Sequence, residues 1–90
     1  MYSMALEFDP VKDARNREKH GIGLARVDEL TDRIAIYSPR RGEDRWAVIG
    51  RLEGQLYTAI ITRRGANTRA ISLRRARRRE ERDHAHATTK

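Results

Sequence analysis

The hydrophobic pattern of this 90-residue chain changes period as it runs. Leu6-Glu7-Phe8 alternates and predicts a short first strand. Asp9-Pro10 then opens a helix. Asp is a strong N-cap, and Pro suits the first helical position because an N–H there would have no helical partner. The helix is expected to run from Val11 to His20 and to stop at Gly21 as a left-handed cap. Lys19 and His20 lie where the helix dipole favours cations. Its apolar stripe is only Val11 and Ala14, so capping should matter more than packing. From Gly23 to Leu30, Leu24, Val27 and Leu30 recur at every third position and predict a second helix with one apolar edge, ended by Asp32.

Beyond Asp32 the period is two. Ile34 and Ile36 alternate with Ala35 and Tyr37, and Ser38-Pro39-Arg40-Arg41-Gly42 reads as a loop. Arg45 to Arg51 predicts a strand with Trp46 and Val48 on one face and Ala47 and Ile49 on the other. Glu53-Gly54 is a tight hairpin turn. Gln55 to Thr62 is the most apolar strand and is expected at the centre of the sheet. Gly65-Ala66-Asn67 makes a second turn, and Thr68 to Leu73 closes the sheet with Ile71 and Leu73 facing inward. An Arg-rich segment from Leu73 to His84 predicts a surface helix, with Arg77–Glu81 and Arg79–Asp83 at i,i+4 spacing. The order is β-α-α-β-β-β-β-α. It implies an α+β fold, a small antiparallel sheet with helices on one face and a C-terminal helix, in one domain over residues 1–84 with a flexible tail at 85–90.

Charge sharpens this picture. The formal net charge is +7, from 20 Lys+Arg against 13 Asp+Glu. Residues 1–62 carry ten basic and ten acidic side chains, whereas residues 63–90 carry ten basic and three acidic, so the excess lies in the last third. Nearly all of it is Arg, whose planar fork grips phosphate at two points. A polyanion partner, RNA or DNA, is the functional reading; a solvated Arg-laced helix is the plain one. Apolar runs such as Ala59-Ile60-Ile61 are far too short for a membrane span. The first nine residues have neither a basic start nor a long apolar stretch, so no secretory signal and a cytoplasmic location are expected. There is no Cys, hence no disulfide framework and no thiolate nucleophile or ligand. With three His and no carboxylate cluster at ligand spacing, no metal site or cofactor is expected.

Three blocks, in order, carry a resemblance. Phe8-Asp9-Pro10-x-Lys12-x-x-x-Asn16-x-x-Lys19-His20-Gly21 resembles the N-terminal signature of BrnT-type toxins. Glu43-x-Arg45-Trp46-x-x-Ile49-Gly50 is similar to that family's central strand. Thr62-Arg63-Arg64-Gly65, leading into Arg69-x-Ile71-Ser72-x-Arg74-x-Ala76-x-x-x-Glu80, is similar to its closing strand and helix. The match spans roughly residues 6–84. It departs from the family pattern at Leu24, Ile61 and His84, where the family carries aromatics. The resemblance implies a RelE-like fold and a toxin of a type II toxin–antitoxin pair that inhibits translation by metal-independent RNA cleavage. It also implies a BrnA-like antitoxin that binds the toxin directly, in a hetero-oligomer that reaches operator DNA only through the antitoxin.

Metal-free RNA cleavage uses the ribose 2′-OH as nucleophile on the adjacent phosphate. It needs a proton acceptor, cations on the developing charge and a proton donor for the leaving oxygen. Arg63 and Arg74 are the candidate catalytic cations, with Arg64, Arg69 and Arg75 as RNA-binding neighbours. His20 is either a general acid or base or a helix-end cap, and Lys19 and Asn16 share that ambiguity; Asn16 could instead bond a neighbouring strand. Trp46 either stacks on a base or fills the core. Glu80 either orients an Arg or supports its helix. Two other classes fit the same charge. One is a nucleic-acid-binding module without catalysis that uses the Arg-rich C-terminal helix. The other is an interaction subunit whose basic helix an acidic partner covers.

Overall fold

A computed structural model describes residues 5–89. Strand β1 is Leu6–Glu7, helix α1 is Pro10–His20, a 3-10 helix spans Leu24–Glu29, and strands β2 (Thr31–Tyr37), β3 (Arg45–Leu52), β4 (Gln55–Arg64) and β5 (Asn67–Arg75) precede helix α2 (Arg78–Thr88). The expected α+β order is present. The five strands form one sheet in the order β1-β5-β4-β3-β2, which puts β4, the most apolar strand, in the middle. Strands β2 to β5 are antiparallel; the two-residue β1 joins β5 in parallel.

Local sequence signals account for the elements. The Asp9 carboxylate accepts the Val11 N–H, Pro10 occupies the first turn, and Gly21 takes the left-handed conformation at φ 75°. The expected stripe of α1 does not pack, since Val11 and Ala14 are both exposed. The buried residue of α1 is polar: Asn16, at 6% exposure. Its amide nitrogen donates to the Leu73 and Ile22 carbonyls, both at 2.8 Å, and its oxygen accepts the Leu73 N–H at 3.1 Å. Because β1 pairs only with Thr68 and Arg69, the rest of β5 has an open edge, and Asn16 satisfies it as a strand would.

The second helix is a 3-10 helix, and the reason is visible in its spacing. Leu24, Val27 and Leu30 repeat every three residues, the period of a 3-10 turn, and all three are buried. Its first N–H, of Leu24, is capped from α1 by Asp13 at 2.8 Å. Asp32 does not end it. Asp32 lies inside β2 at φ 52°, in a bulge that places three residue steps on β2 against two on β3. Gly50 permits the close pass at this bulge, because a Cβ there would meet the Thr31 carbonyl at 2.8 Å.

A second bulge reshapes β5. Ile60 pairs with Ser72 and Ile61 with Ala70, so Ile71 is the extra residue. Inward positions before and after it are therefore three apart: Ala70 and Leu73 are buried, whereas Ile71, expected inside, is only half-buried. With that correction the register sorts the sheet. Val48, Ala59, Leu73 and Ala70 face α1 and the 3-10 helix, and with Ile22, Leu24, Val27 and Leu30 they form the core, with Trp46 and Tyr57 at its margin. The opposite face carries three cross-strand rows: Ile34-Ile49-Thr58-Arg74, Ile36-Ala47-Ile60-Ser72 and Arg45-Thr62-Arg69. Helix α2 packs against β2 and β3 over the first row.

Helix α2 differs from expectation in three respects. Arg74 and Arg75 belong to β5, so the helix begins only at Arg78. It continues to Thr88, so residues 85–88, expected to be a flexible tail, are helical. It is anchored by His84, 1% exposed, whose Nε2–H donates to the Asp32 carbonyl at 2.7 Å. That bond satisfies a backbone group of the bulge. The Arg77–Glu81 and Arg79–Asp83 pairs are not among the ion pairs of the described residues. Arg77 is the N-cap rather than a helical residue, and exposed pairs of this kind add little to hold two long side chains together.

Replacing Asn16 by Ala leaves the Leu73 N–H, the Leu73 carbonyl and the Ile22 carbonyl without that partner. The expected loss is about 2–4 kcal/mol, read as a lower urea midpoint with an unchanged slope.

Candidate functional site

The site grows from the end of β5. The register sets Arg74 beside Thr58 on the face that carries α2, and Glu80 lies in the first turn of α2. The Glu80 carboxylate collects four donors. Arg74 approaches it with both terminal nitrogens, Nη1 to Oε1 at 2.7 Å and Nη2 to Oε2 at 2.8 Å. The Thr58 hydroxyl donates at 2.9 Å and the Arg77 N–H at 2.8 Å. Glu80 therefore orients Arg74 and caps α2 at the same time. The Arg74 guanidinium, reinforced by the other donors and opposed by partial burial, holds the Glu80 carboxyl down at about 2. It stays ionised at neutral pH and carries no proton there.

What Arg74 has left is informative. A guanidinium has five N–H donors in a fixed fork. Glu80 takes two, and the Arg75 carbonyl takes a third, from Nη1 at 3.2 Å. Nε–H and one Nη2–H are without partners among the described hydrogen bonds, and they lie on one edge of the group. That edge has the geometry that receives two oxygens of a phosphate. The Arg74 side chain is 15% exposed.

His20 and Lys19 reach the same end of the sheet because Asn16 ties the last turn of α1 to Leu73. His20 is exposed. Partial burial lowers its pKa below the usual 6.5, and the charges of Lys19 and Arg74 lower it further. This shift favours the uncharged imidazole, the form able to accept a proton. Arg75 points to the other face of the sheet, with its guanidinium 5.8 Å from the centre of the Tyr57 ring.

The remaining sequence candidates lie elsewhere. Arg63 and Arg64 are exposed at the far end of β4, and Arg69 sits beside Thr62, 4.0 Å from Glu7. From Thr58, the neighbour of Arg74, to Arg63 is five strand steps, roughly 17 Å. The structure thus pairs Arg74 with Glu80 and sets His20 near enough for the Arg74 charge to act on it, and it does not bring Arg63, Arg64 or Arg69 to them. Trp46 is half-buried against the core and packs on Tyr37 with ring centres 5.7 Å apart. Sequence reasoning passed over Thr58, Thr62 and Arg45. Thr58 and Thr62 are buried hydroxyls four residues apart on one face of β4, within its apolar stretch, which is a readable sign of a polar partner. Arg45 stands within the quoted central block, yet its place beside Thr62 depends on strand register. Among the described residues, no group of three or more His, Asp or Glu stands together as metal donors, and no helix is long and apolar enough to cross a membrane.

An α+β fold whose exposed sheet face carries positioned arginines defines a basic protein suited to a phosphate-bearing substrate. A family model described as the ribonuclease toxin BrnT of type II toxin–antitoxin systems matches residues 8–80. The chain belongs to this family of ribonuclease toxins, and a type II system implies an antitoxin partner. The solved structure of the Brucella abortus ribonuclease toxin BrnT, at 1.1 Å resolution, shares the fold with a TM-score of 0.69 and 24% identity. That match covers 84% of this chain and 100% of the other. A search of curated proteins gives no match.

Glu80 is held below its unfolded value of 4.5, so its contribution to stability is fully present above pH 4.5 and is lost as pH falls toward 2. Glu80→Gln should cost about 2 kcal/mol at pH 7 and flatten that acid limb. Thermal melts of the two proteins between pH 7 and pH 2.5 check both expectations.

Proposed function

We propose that this ribonuclease toxin cleaves RNA without a metal ion, by attack of a ribose 2′-OH on the adjacent phosphate. The observation that carries the reading is the Arg74–Glu80 fork, which leaves Nε–H and one Nη2–H of Arg74 without partners among the described hydrogen bonds. The free edge of Arg74 binds the non-bridging oxygens of the scissile phosphate and offsets the charge that builds on them. His20 accepts the proton of the 2′-OH as the new O–P bond forms. The bond to the 5′-oxygen then breaks, that oxygen takes up a proton, and the upstream fragment ends in a 2′,3′-cyclic phosphate. Glu80 acts through Arg74. Lys19 favours the uncharged form of His20, and Arg63, Arg64 and Arg69 hold RNA away from the reacting atoms.

The toxin reading extends to the partner. A BrnA-like antitoxin that covers the face carrying Arg74 would neutralise the enzyme by occupying the phosphate edge. It would carry the DNA-binding part of the hetero-oligomer, so that the toxin meets operator DNA only through it. RNA and the translation machinery place the target in the cytoplasm.

Purified toxin should cleave RNA in EDTA and leave cyclic-phosphate ends. Arg74→Ala should lower kcat about a hundredfold. His20→Ala should remove the limb on which the rate rises as pH passes through the lowered His20 pKa. Arg63→Ala should act mainly on KM. Intact RNA under all these conditions, with salt-dependent binding alone, would establish a binding module instead.

A further inference from the structure

The hairpin that joins β2 to β3 is more ordered than the loop its sequence suggests. Arg40 and Glu43 exchange both backbone hydrogen bonds at 2.9 Å, and Arg41 and Gly42 make the two-residue turn between them at φ 52° and 79°. The base is pinned as well. The Ser38 N–H donates to the Arg45 carbonyl at 2.8 Å, the Thr62 hydroxyl to the Asp44 carbonyl at 2.6 Å, and the Tyr37 hydroxyl to the Asp44 carboxylate at 2.5 Å. Arg40, Arg41, Glu43 and Arg45 line an open cavity of about 460 Å3 at this tip. Glu43 binds Nε of Arg45 at 2.7 Å, which fixes that side chain and leaves its terminal nitrogens without partners among the described hydrogen bonds. Arg40 and Arg41 have no ion-pair partner among the described residues. Three guanidinium groups against one carboxylate, on a backbone held in place, give this open cavity a cationic lining.

We infer that this cavity is a second phosphate subsite, which holds the RNA backbone at a distance from the bond that is cut. The inference rests on the RNA reading above. Continuity along the sheet favours RNA as the occupant. Arg45 leads into the row Arg45-Thr62-Arg69, on the same face as Arg74, and from Thr62 to Thr58 is four strand steps, roughly 14 Å. The phosphates of one extended strand can therefore touch Arg74 at one end of the face and the hairpin cavity at the other. Arg40 and Arg41 set affinity and the length of RNA engaged, and they leave the chemistry to the Arg74 end.

The test uses the double variant Arg40→Ala/Arg41→Ala, with circular dichroism to verify that it folds, and uncleavable 2′-O-methyl oligonucleotides, short and long. Loss of two phosphate contacts should lower the slope of log affinity against log salt by about 1.4 for the long oligonucleotide. Its affinity near 0.1 M salt should fall about tenfold. Binding of the short oligonucleotide should be unchanged. On cleavable RNA, KM should rise with kcat intact. Arg79→Ala/Arg82→Ala, an equal loss of charge on exposed α2 positions, should leave the slope as in the native protein. The proposal is overturned if the hairpin variant binds the long oligonucleotide like the native protein, or if both oligonucleotides weaken equally. It is also overturned if RNA binding holds while binding of a poly-glutamate peptide is lost, since the cavity would then serve an acidic protein. A native protein that neither binds nor cleaves RNA overturns the RNA reading itself, whereas native cleavage with an unaffected hairpin variant overturns the subsite alone.

Discussion

The amide of Asn16 does for β5 what a neighbouring strand would do, and the position of most of the site follows from it. It accepts one N–H and donates to two carbonyls from a side chain on a helix with almost no apolar face. Without an apolar stripe, α1 has no other strong reason to lie along the sheet edge. Both of its ends are set by capping, at Asp9 and Gly21, and its middle is held by this amide together with the bond of Asp13 to the Leu24 N–H. The last turn carries Lys19 and His20, so the same contact that closes the edge of β5 delivers an imidazole to the end of the strand where Arg74 stands. The Ile22 carbonyl, held by the same nitrogen, starts the segment that packs as the 3-10 helix. Fold and site share a single polar anchor.

A second anchor works on the other face. Glu80 collects a side-chain fork, a hydroxyl from β4 and the N-terminal N–H of its own helix. A carboxylate with so many donors costs little to keep charged, and it makes Arg74 rigid without using up its valence. An arginine free in solvent would lose more side-chain freedom on binding phosphate than one already held. His84 completes the docking by joining α2 to the bulge of β2 through the Asp32 carbonyl. The helix therefore has one polar bond at its start, through Glu80, and another in its second half, through His84, and it packs against the strand that carries buried Ile49.

Much of this was legible in the chain. The caps, the Glu53-Gly54 hairpin, the two faces of β3 and the central place of β4 follow from local chemistry and a period of two. The errors have physical causes. Bulges in β2 and β5 shift the alternation by one residue, and no periodic reading anticipates a bulge; hence the misplacement of Asp32 and Ile71. Helix α2 was expected too early in the chain, and its last turn was missed because its anchor is a histidine rather than an apolar residue. Among site residues, the Arg74–Glu80 pairing could be suspected from six-residue proximity across a strand–helix junction. The separation of Arg63 from Arg74 was legible too, because the Gly65-Ala66-Asn67 turn sets Arg63 at the turn end of the last hairpin and Arg74 at the exit of its second strand.

Charge shows most clearly what three dimensions change. Along the sequence the excess falls in the last third, and residues 1–62 are neutral in sum. Folded, that division dissolves. Arg40, Arg41 and Arg45 come from the neutral segment and line one open cavity with Glu43, while other acidic residues of that segment face different partners: Asp13 caps the 3-10 helix, Glu29 and Glu53 bind Arg26, and Asp44 bonds Tyr37. In the basic segment, Arg74 is neutralised by Glu80, Arg69 leans on Glu7, and Arg75 turns to the Tyr57 ring. A polyanion responds to the charge left over at a surface, not to the charge counted along a segment. On that measure Arg40 and Arg41 at the hairpin tip and Arg63 and Arg64 at the exposed end of β4, all outside the ion pairs of the described residues, add positive charge, and Arg74 contributes direction rather than net charge. Attraction and positioning are thereby assigned to different residues of one face.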